Sequence, residues 1–443
     1  MVRKPRLSVT RPFLAHLGGS SSRTACCANG WTGGQYSVFR FALGVYLLFH
    51  FACLVPLASK MSSSAGVLGE ASESPLHFFF PNRLFFWDSP AVVVALLLAG
   101  AGLSMLFALG VRDRLAGLIL LVLGFCLFAT NPPISNSSMP FIGWILLAHA
   151  FVPRRPYGSW EARGRVDPGA GWRMPAPIHT AAWILLAIGY AYSGAIKLAN
   201  PSWIDGTALL GASSDPLAER TLLRDIVLLL PAPLITLVTW SALALEISFA
   251  PLALSRKARP WLWLALLGMQ LSLMALGHFA NSVAGMVMLH FFAFDPAWVK
   301  GKEEERAATI FYDGGCGLCH RFVRFALAED REGKYFRFAP LEGNAFAAVR
   351  NESAQAETLD PIDSIVLSLP SGSLLVRAAA ILEIGKRLGG IWRVAAIAAG
   401  VLSLRVLNAG YDGIARIRHR IFASPPDACP LLPAHLRDRF DHP

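Results

Sequence analysis

The chain has 443 residues, of which 54% are hydrophobic and 16% charged, with a formal net charge of +11 and a mean hydropathy of +0.47. Soluble globular proteins carry about 25% charged residues, so the composition excludes a wholly water-soluble chain. The cations sit in short loops between apolar runs, which suits anionic lipid headgroups and argues against nucleic acid as a partner. Charge is scarce from about residue 37 to 298 and ordinary from 299 onward, which divides the chain into a membrane part and a water-facing part.

Residues 1–36 read as a basic, flexible segment with Arg3, Lys4, Arg6 and Arg11, and with Cys26 and Cys27 in a Ser/Gly-rich stretch. The first apolar run begins too late for a simple signal peptide. A hydrocarbon core needs about 20 apolar residues per helix, and backbone groups in lipid must pair internally. Eight helical spans are therefore expected, at about 37–57, 90–110, 115–131, 139–152, 178–198, 226–254, 261–278 and 280–296, the third and fourth being short. Alternate loops divide the cations unevenly. One side takes Arg3, Lys4, Arg6, Arg11, Arg23, Arg112, Arg114, Arg154, Arg155, Arg163, Arg165, Arg173, Arg256, Lys257, Arg259, Lys300, Lys302 and Arg306; the other holds Lys60, Arg83, Arg220 and Arg224. The expectation is an integral protein of the cell (inner) membrane, with the lipid bilayer as partner and both termini cytoplasmic. The long loops 58–89 and 199–225 fall on the far side. The first holds an aromatic run from His77 to Trp87 that reads as interfacial.

Residues 299–306 form a charged linker, and 307–443 read as a small α/β domain. Thr309–Tyr312 reads as a buried strand, Asp313–Gly315 as a turn and Leu318–Ala328 as a helix with one apolar face. Ser364–Leu369 reads as a second strand, and 374–388 and 391–420 as helices.

The chemistry concentrates at Cys316-Gly317-Leu318-Cys319, which follows strand and turn and opens a helix. Free backbone N–H groups and the helix dipole favour an anion there, and the thiolate is the nucleophile. Cys316 is expected to attack and Cys319, one turn on, to resolve, with Gly314, Gly315 and Gly317 leaving the sulfur accessible to a protein substrate. Asp313 and His320 flank the pair as candidate binding residues. A zinc site completed by His320 and Cys429, a c-type haem attachment at Cys316–His320 and an idle structural pair are the rival readings. No metal ligand set is assigned. Cys53 and Cys126 lie in apolar helices and read as inert.

The run Phe311-Tyr312-Asp313-Gly314-Gly315-Cys316-Gly317-Leu318-Cys319, followed by Phe322, Val323 and Phe325, resembles the DCC family of thiol–disulfide oxidoreductases. The resemblance continues through Phe338–Leu341, Asp363–Leu367, Arg377–Ala380, Leu388–Gly390, Tyr411–Ala415 and Cys429, covering 307–433. It implies a thioredoxin-like fold and a thiol or disulfide partner, protein or small molecule. Thioredoxin has a cis-proline facing its cysteines; here Ser364-Ile365 stands near that place, with Pro361 before it.

Polar groups inside apolar runs are costly, so His50, His149, Lys197, Glu246, His278 and His290 invite a functional reading beside the plainer one of packing and pairing. Tyr192–Leu198 with Trp203–Gly206, together with Trp240–Glu246 and Ala293–Trp298, resembles the HTTM family, the membrane domain shared with vitamin K-dependent γ-carboxylase, over about 37–298. That resemblance implies Lys197 as a base acting on a quinol. Glu246, in mid-helix, reads by its position as a residue that pairs with a cation or binds a quinone-like headgroup. The spacing from Lys197 to the tryptophan is about one residue longer than in the carboxylases, and the lumenal β-rich region of the animal enzymes has no counterpart. Lys197 at a helix end also fits a snorkelling interfacial lysine. Three functions follow. One is a membrane-bound thiol–disulfide oxidoreductase, cytoplasmic and coupled to a quinone-like ligand. The second is a γ-carboxylase-like quinol-dependent enzyme with the DCC domain as electron donor. The third is a non-enzymatic membrane scaffold.

Overall fold

The computed structural model describes residues 29–61, 63, 65, 89–130, 136–215, 219–277, 280–352, 364–421 and 433–441. The cations up to Arg23, Cys26, Cys27, the 77–87 aromatic run with Arg83, His278, Pro361, Asp363 and Cys429 lie outside them.

The first helix, α1 (Gly33–Leu54), begins four residues earlier than expected, and what precedes it is packed. Thr32 caps it, its hydroxyl accepting from the Gln35 amide at 3.3 Å. Trp31 is fully buried, its indole donating to the Phe294 carbonyl at 2.8 Å. A short helix α2 (Ala58–Met61) prolongs α1 past a 3-10 turn. The bundle continues with α3 (Pro90–Leu109), α4 (Asp113–Thr130), α5 (Met139–Phe151) and α6 (Ala176–Leu198). Three short helices follow, α7 (Pro201–Ile204), α8 (Ala208–Ser214) and α9 (Leu222–Leu228), then α10 (Ala232–Ala253), α11 (Arg259–Ala275) and α12 (Ala280–Ala293).

Among the described residues five helices are long and apolar enough to cross a membrane: Gly33–Lys60, α3, α4, α6 and α10. Helices also stand at the other three expected places, but α5, α11 and α12 are 13, 17 and 14 residues long. The expected 226–254 span is in fact two helices, because Pro231 opens α10 and biases the residue before it away from helix.

One end of the bundle gathers the starts of α1, α4, α6 and α11 and the finishes of α3, α5, α10 and α12. There the buried Arg40 of α1 meets Asp113 of α4 at 3.0 Å. Arg114 donates to the Val152 carbonyl beyond α5 at 2.5 Å, and Arg259 to the Ala253 carbonyl at 2.7 Å. His179 of α6 bonds the Ala293 and Phe294 carbonyls, each at 3.1 Å. The cation-rich loops 153–175 and 254–258 therefore share this end, and the 199–225 segment lies at the other.

The C-terminal domain sits on the cation-rich end. Its order is β1 (Ala308–Tyr312), α13 (Gly317–Glu329), β2 (Phe336–Pro340), α14 (Asn344–Glu352), β3 (Val366–Ser368), β4 (Leu374–Val376), α15 (Arg377–Leu388), α16 (Gly390–Ala399), α17 (Leu404–Ile421) and α18 (Ala434–Arg437). The sheet runs β2-β1-β3-β4, with β1 parallel to β2 and β3 antiparallel to both of its neighbours. Strand alternation sends Ile310 to a cluster on one face, with Cys316, Cys319, Phe338 and Ile365, and Phe311 to a cluster on the other, with Phe346 and Val366. Two expectations fail here. Residues 374–376 are a strand, because Gly372 at φ 83° closes a hairpin that lays them on β3. The expected single helix over 391–420 is broken, with α16 and α17 meeting at 114°.

Candidate functional site

Cys316 sits in extended conformation as the N-cap of α13, and its sulfur accepts from the Cys319 amide at 3.4 Å. A cap side chain normally satisfies one of the orphan N–H groups of a first turn. Here a sulfur does so. The turn before it is built by the residues singled out as binders. Asp313 accepts from the Gly315 amide through its carboxylate at 2.8 Å and from the Cys316 amide through its carbonyl at 3.3 Å. The His320 ring bonds the Gly314 carbonyl at 2.8 Å, which places the proton on Nε2, and its edge meets Tyr312. In this structure Asp313 and His320 hold the loop that presents Cys316.

The glycines do not leave the sulfur open. Cys316 and Cys319 are not disulfide-bonded and are 1% and 3% exposed. The reason is tertiary. Helix α17 packs against α13 and brings Tyr411 into electrostatic reach of both thiols, while the Tyr411 hydroxyl accepts from the Ile365 amide at 3.0 Å. Burial pushes the Tyr411 hydroxyl above its ordinary value. Ile365, immediately before β3, shares the buried cluster with the two cysteines. Tyr411 appeared in the sequence pattern without a role, and nothing local to residue 411 reveals its neighbours. Among the described residues no group of three His, Cys, Asp or Glu is placed to hold a metal ion.

The domain is fastened to the bundle through α13. Glu329, its last residue, is buried and accepts from the Gly34 amide at 3.0 Å, the Trp392 indole at 2.5 Å and the Thr32 hydroxyl. Burial raises its carboxyl above the usual range, opposed by those donors and by Arg331. Arg331 reaches the Trp172 carbonyl at 2.8 Å, and Gln35 accepts from the Ile391 amide at 3.0 Å. Sequence reasoning missed this junction. An acidic pair, Glu329-Asp330, at a helix C-terminus opposes the helix dipole and was the available signal.

Lys197 and Glu246 stand elsewhere. Lys197 Nζ donates to Glu246 Oε1 at 2.5 Å and lies 4.4 Å from the Trp203 ring centroid. The Glu246 Oε2 atom is buried without a hydrogen-bond partner. Lys197 and Trp203 line an apolar cavity of about 360 Å³ with Asp215, Arg224, Thr239 and Ser272. This is the far end of α6, whose first residues lie by the domain. At 1.5 Å per residue, Ala176 to Lys197 spans roughly 32 Å. The remaining histidines are partnered within the bundle: His149 Nδ1 with the Tyr36 hydroxyl at 2.7 Å, and His290 Nε2 with the Tyr190 hydroxyl at 3.0 Å. His50 packs against Tyr46 and Phe51.

Residues 310–424 match the family model of DCC1-like thiol-disulfide oxidoreductases. No curated protein and no solved structure matches the chain. The C-terminal region is thus a DCC1-like thiol-disulfide oxidoreductase domain, joined to apolar helices compatible with a membrane.

Proposed function

We propose that the chain is a membrane-bound thiol–disulfide oxidoreductase whose Cys316–Cys319 dithiol works at the cytoplasmic face, on a redox partner that is a thiol or disulfide. The observation that carries it is the N-cap placement of Cys316, with its sulfur taking the Cys319 amide. When the dithiol acts as reductant, the Cys316 thiolate attacks a partner disulfide and expels one partner thiolate. Cys319 then attacks the mixed disulfide, releasing the second thiolate and closing the Cys316–Cys319 bond; two electrons pass to the partner. In the reverse direction a partner thiolate attacks the Cys316–Cys319 disulfide. The strand order and the antiparallel β3 support a thioredoxin-like reading of the domain, with Ile365 where the cis-proline would stand. The excess of cations at the domain's end of the bundle supports a cytoplasmic location. Eight crossings, with α5, α11 and α12 short or tilted, keep both termini on that side.

The test is a redox titration of the purified full-length chain in thiol–disulfide buffers, read by mass-shift alkylation. A two-thiol transition lost in Cys316→Ser and in Cys319→Ser is expected. A chain whose two thiols never pair would overturn the reading.

The cavity at Lys197 favours a second site, for a quinone-like ring whose polar edge meets Lys197 and Arg224. Its size lies within the range of small-molecule pockets. At roughly 32 Å along α6 from the domain, it does not favour direct electron exchange with the dithiol. A soluble quinone that reoxidised the reduced dithiol, with turnover abolished by Lys197→Ala, would restore that coupling.

A further inference from the structure

The bend between α16 and α17 carries a run of exposed apolar side chains. Ile397, Val401, Leu402 and Leu404 are 54%, 85%, 54% and 52% exposed, and α17 adds Val406 and Ile417 on one stripe. A contiguous patch of this kind marks a docking surface. Its root is already at the membrane boundary. The Gly390 amide donates to the Val299 carbonyl just beyond α12 at 2.7 Å, and the next amide to Gln35 in the first turn of α1. Trp392 lines a cavity of about 340 Å³ together with Val38, Phe41 and Leu109. Those three are themselves exposed apolar side chains at the ends of two candidate spans. The exposed apolar surface of the bundle thus reaches α16 at Trp392. Arg405 and Arg416 are exposed on α17, about 100° round the helix from Val406 and Ile417. Apolar residues flanked by arginines are the pattern of a helix lying in a lipid interface. The two helices together are apolar enough to pass for one span, but they meet at 114°, which no straight crossing allows.

We propose that α16 and α17 form a membrane-seated arm: the 397–406 bend enters the lipid surface at the face where the domain is docked, and Arg405 and Arg416 meet anionic headgroups. The helix that carries Tyr411, within electrostatic reach of the thiols, is then the one held by lipid. The proposal rests on the reading of the bundle as membrane-spanning.

The experiment uses the full-length chain in vesicles of phosphatidylcholine, or of phosphatidylcholine with one quarter phosphatidylglycerol. A benzophenone amino acid replaces Val401, Val122 on the exposed face of α4, or Ser371 in the β3–β4 turn, one at a time. Photo-cross-linked lipid is read by mass spectrometry. Lipid adducts at position 401 several-fold above those at 371, and increased by phosphatidylglycerol, are expected. Adducts at 122 with none at 401, or cross-links from 401 to a second copy, would overturn the arm alone. Absence at both 122 and 401 would overturn the membrane-spanning reading and the arm with it.

Discussion

The carboxylate of Glu329, at the end of the helix that begins beside Cys316 and Cys319, accepts a hydrogen bond at 3.0 Å from the amide of Gly34, in the first turn of α1. An acidic group at a helix N-terminus is stabilising. This one is supplied from a different domain, so α13 links the dithiol at its start to the bundle at its end.

Removing that carboxylate orphans the donors it serves. Glu329→Ala should cost roughly 1–3 kcal/mol per buried donor left without a partner. Gly34→Ala should act similarly, since a Cβ there would run into the carboxylate. Hydrogen exchange of residues 32–36 in detergent is the measurement; unchanged protection in both variants would refute the latch.

The same group makes docking pH-dependent. Its carboxyl is raised from an ordinary 4.5 by burial. Between that value and the raised one, the docked state holds a proton that a free chain has lost. Docking strength is then fully present below about pH 4.5 and falls as pH rises through the raised value. Glu329→Gln should flatten this slope in a series of exchange measurements across pH.

Burial of both thiols predicts slow alkylation of the resting reduced protein. Tyr411→Ala should open the cover and speed modification of Cys316 several-fold while leaving its pairing with Cys319 intact. An unaltered rate would show that α17 does not control access.

Asp330 is buried and accepts from the amides of Lys334, Tyr335 and Phe336, and from Arg439 Nη2 at 2.6 Å. Arg439→Ala strips the counter-charge from a buried carboxylate, a change that costs about 3–5 kcal/mol. Thermal unfolding of the domain should shift down accordingly.

Lys197→Met leaves Glu246, at 3% side-chain exposure, with neither oxygen paired. Breaking a buried pair costs about 3–5 kcal/mol, whereas replacing both members with apolar residues is often neutral. Thermal unfolding in detergent should therefore fall in Lys197→Met and recover in Lys197→Met/Glu246→Leu. The midpoint of the dithiol titration should stay put, because the two sites lie at opposite ends of α6.

Much was legible in the residue order because it depends on near neighbours. Apolar run length set the places of the apolar helices, and a strand, a turn and Cys316 ahead of a helix set an N-cap thiol. The hairpin strand Leu374–Val376 escaped because three apolar residues beside a helix read as helix until a partner strand is known. The break at Pro231 shows the opposite case, a local signal hidden under a long apolar stretch.

Local chemistry along the chain decided that there would be membrane-compatible helices and a cysteine at a helix N-cap, since spans and caps are set within a few residues. The fold alone decided that the thiols are buried, that Glu329 caps a helix 295 residues away, and that Lys197 lies at the end of α6 away from the C-terminal domain. Those facts come from packing between elements distant in sequence, where burial and partner geometry depend on the assembled whole and leave no periodic trace in any one segment.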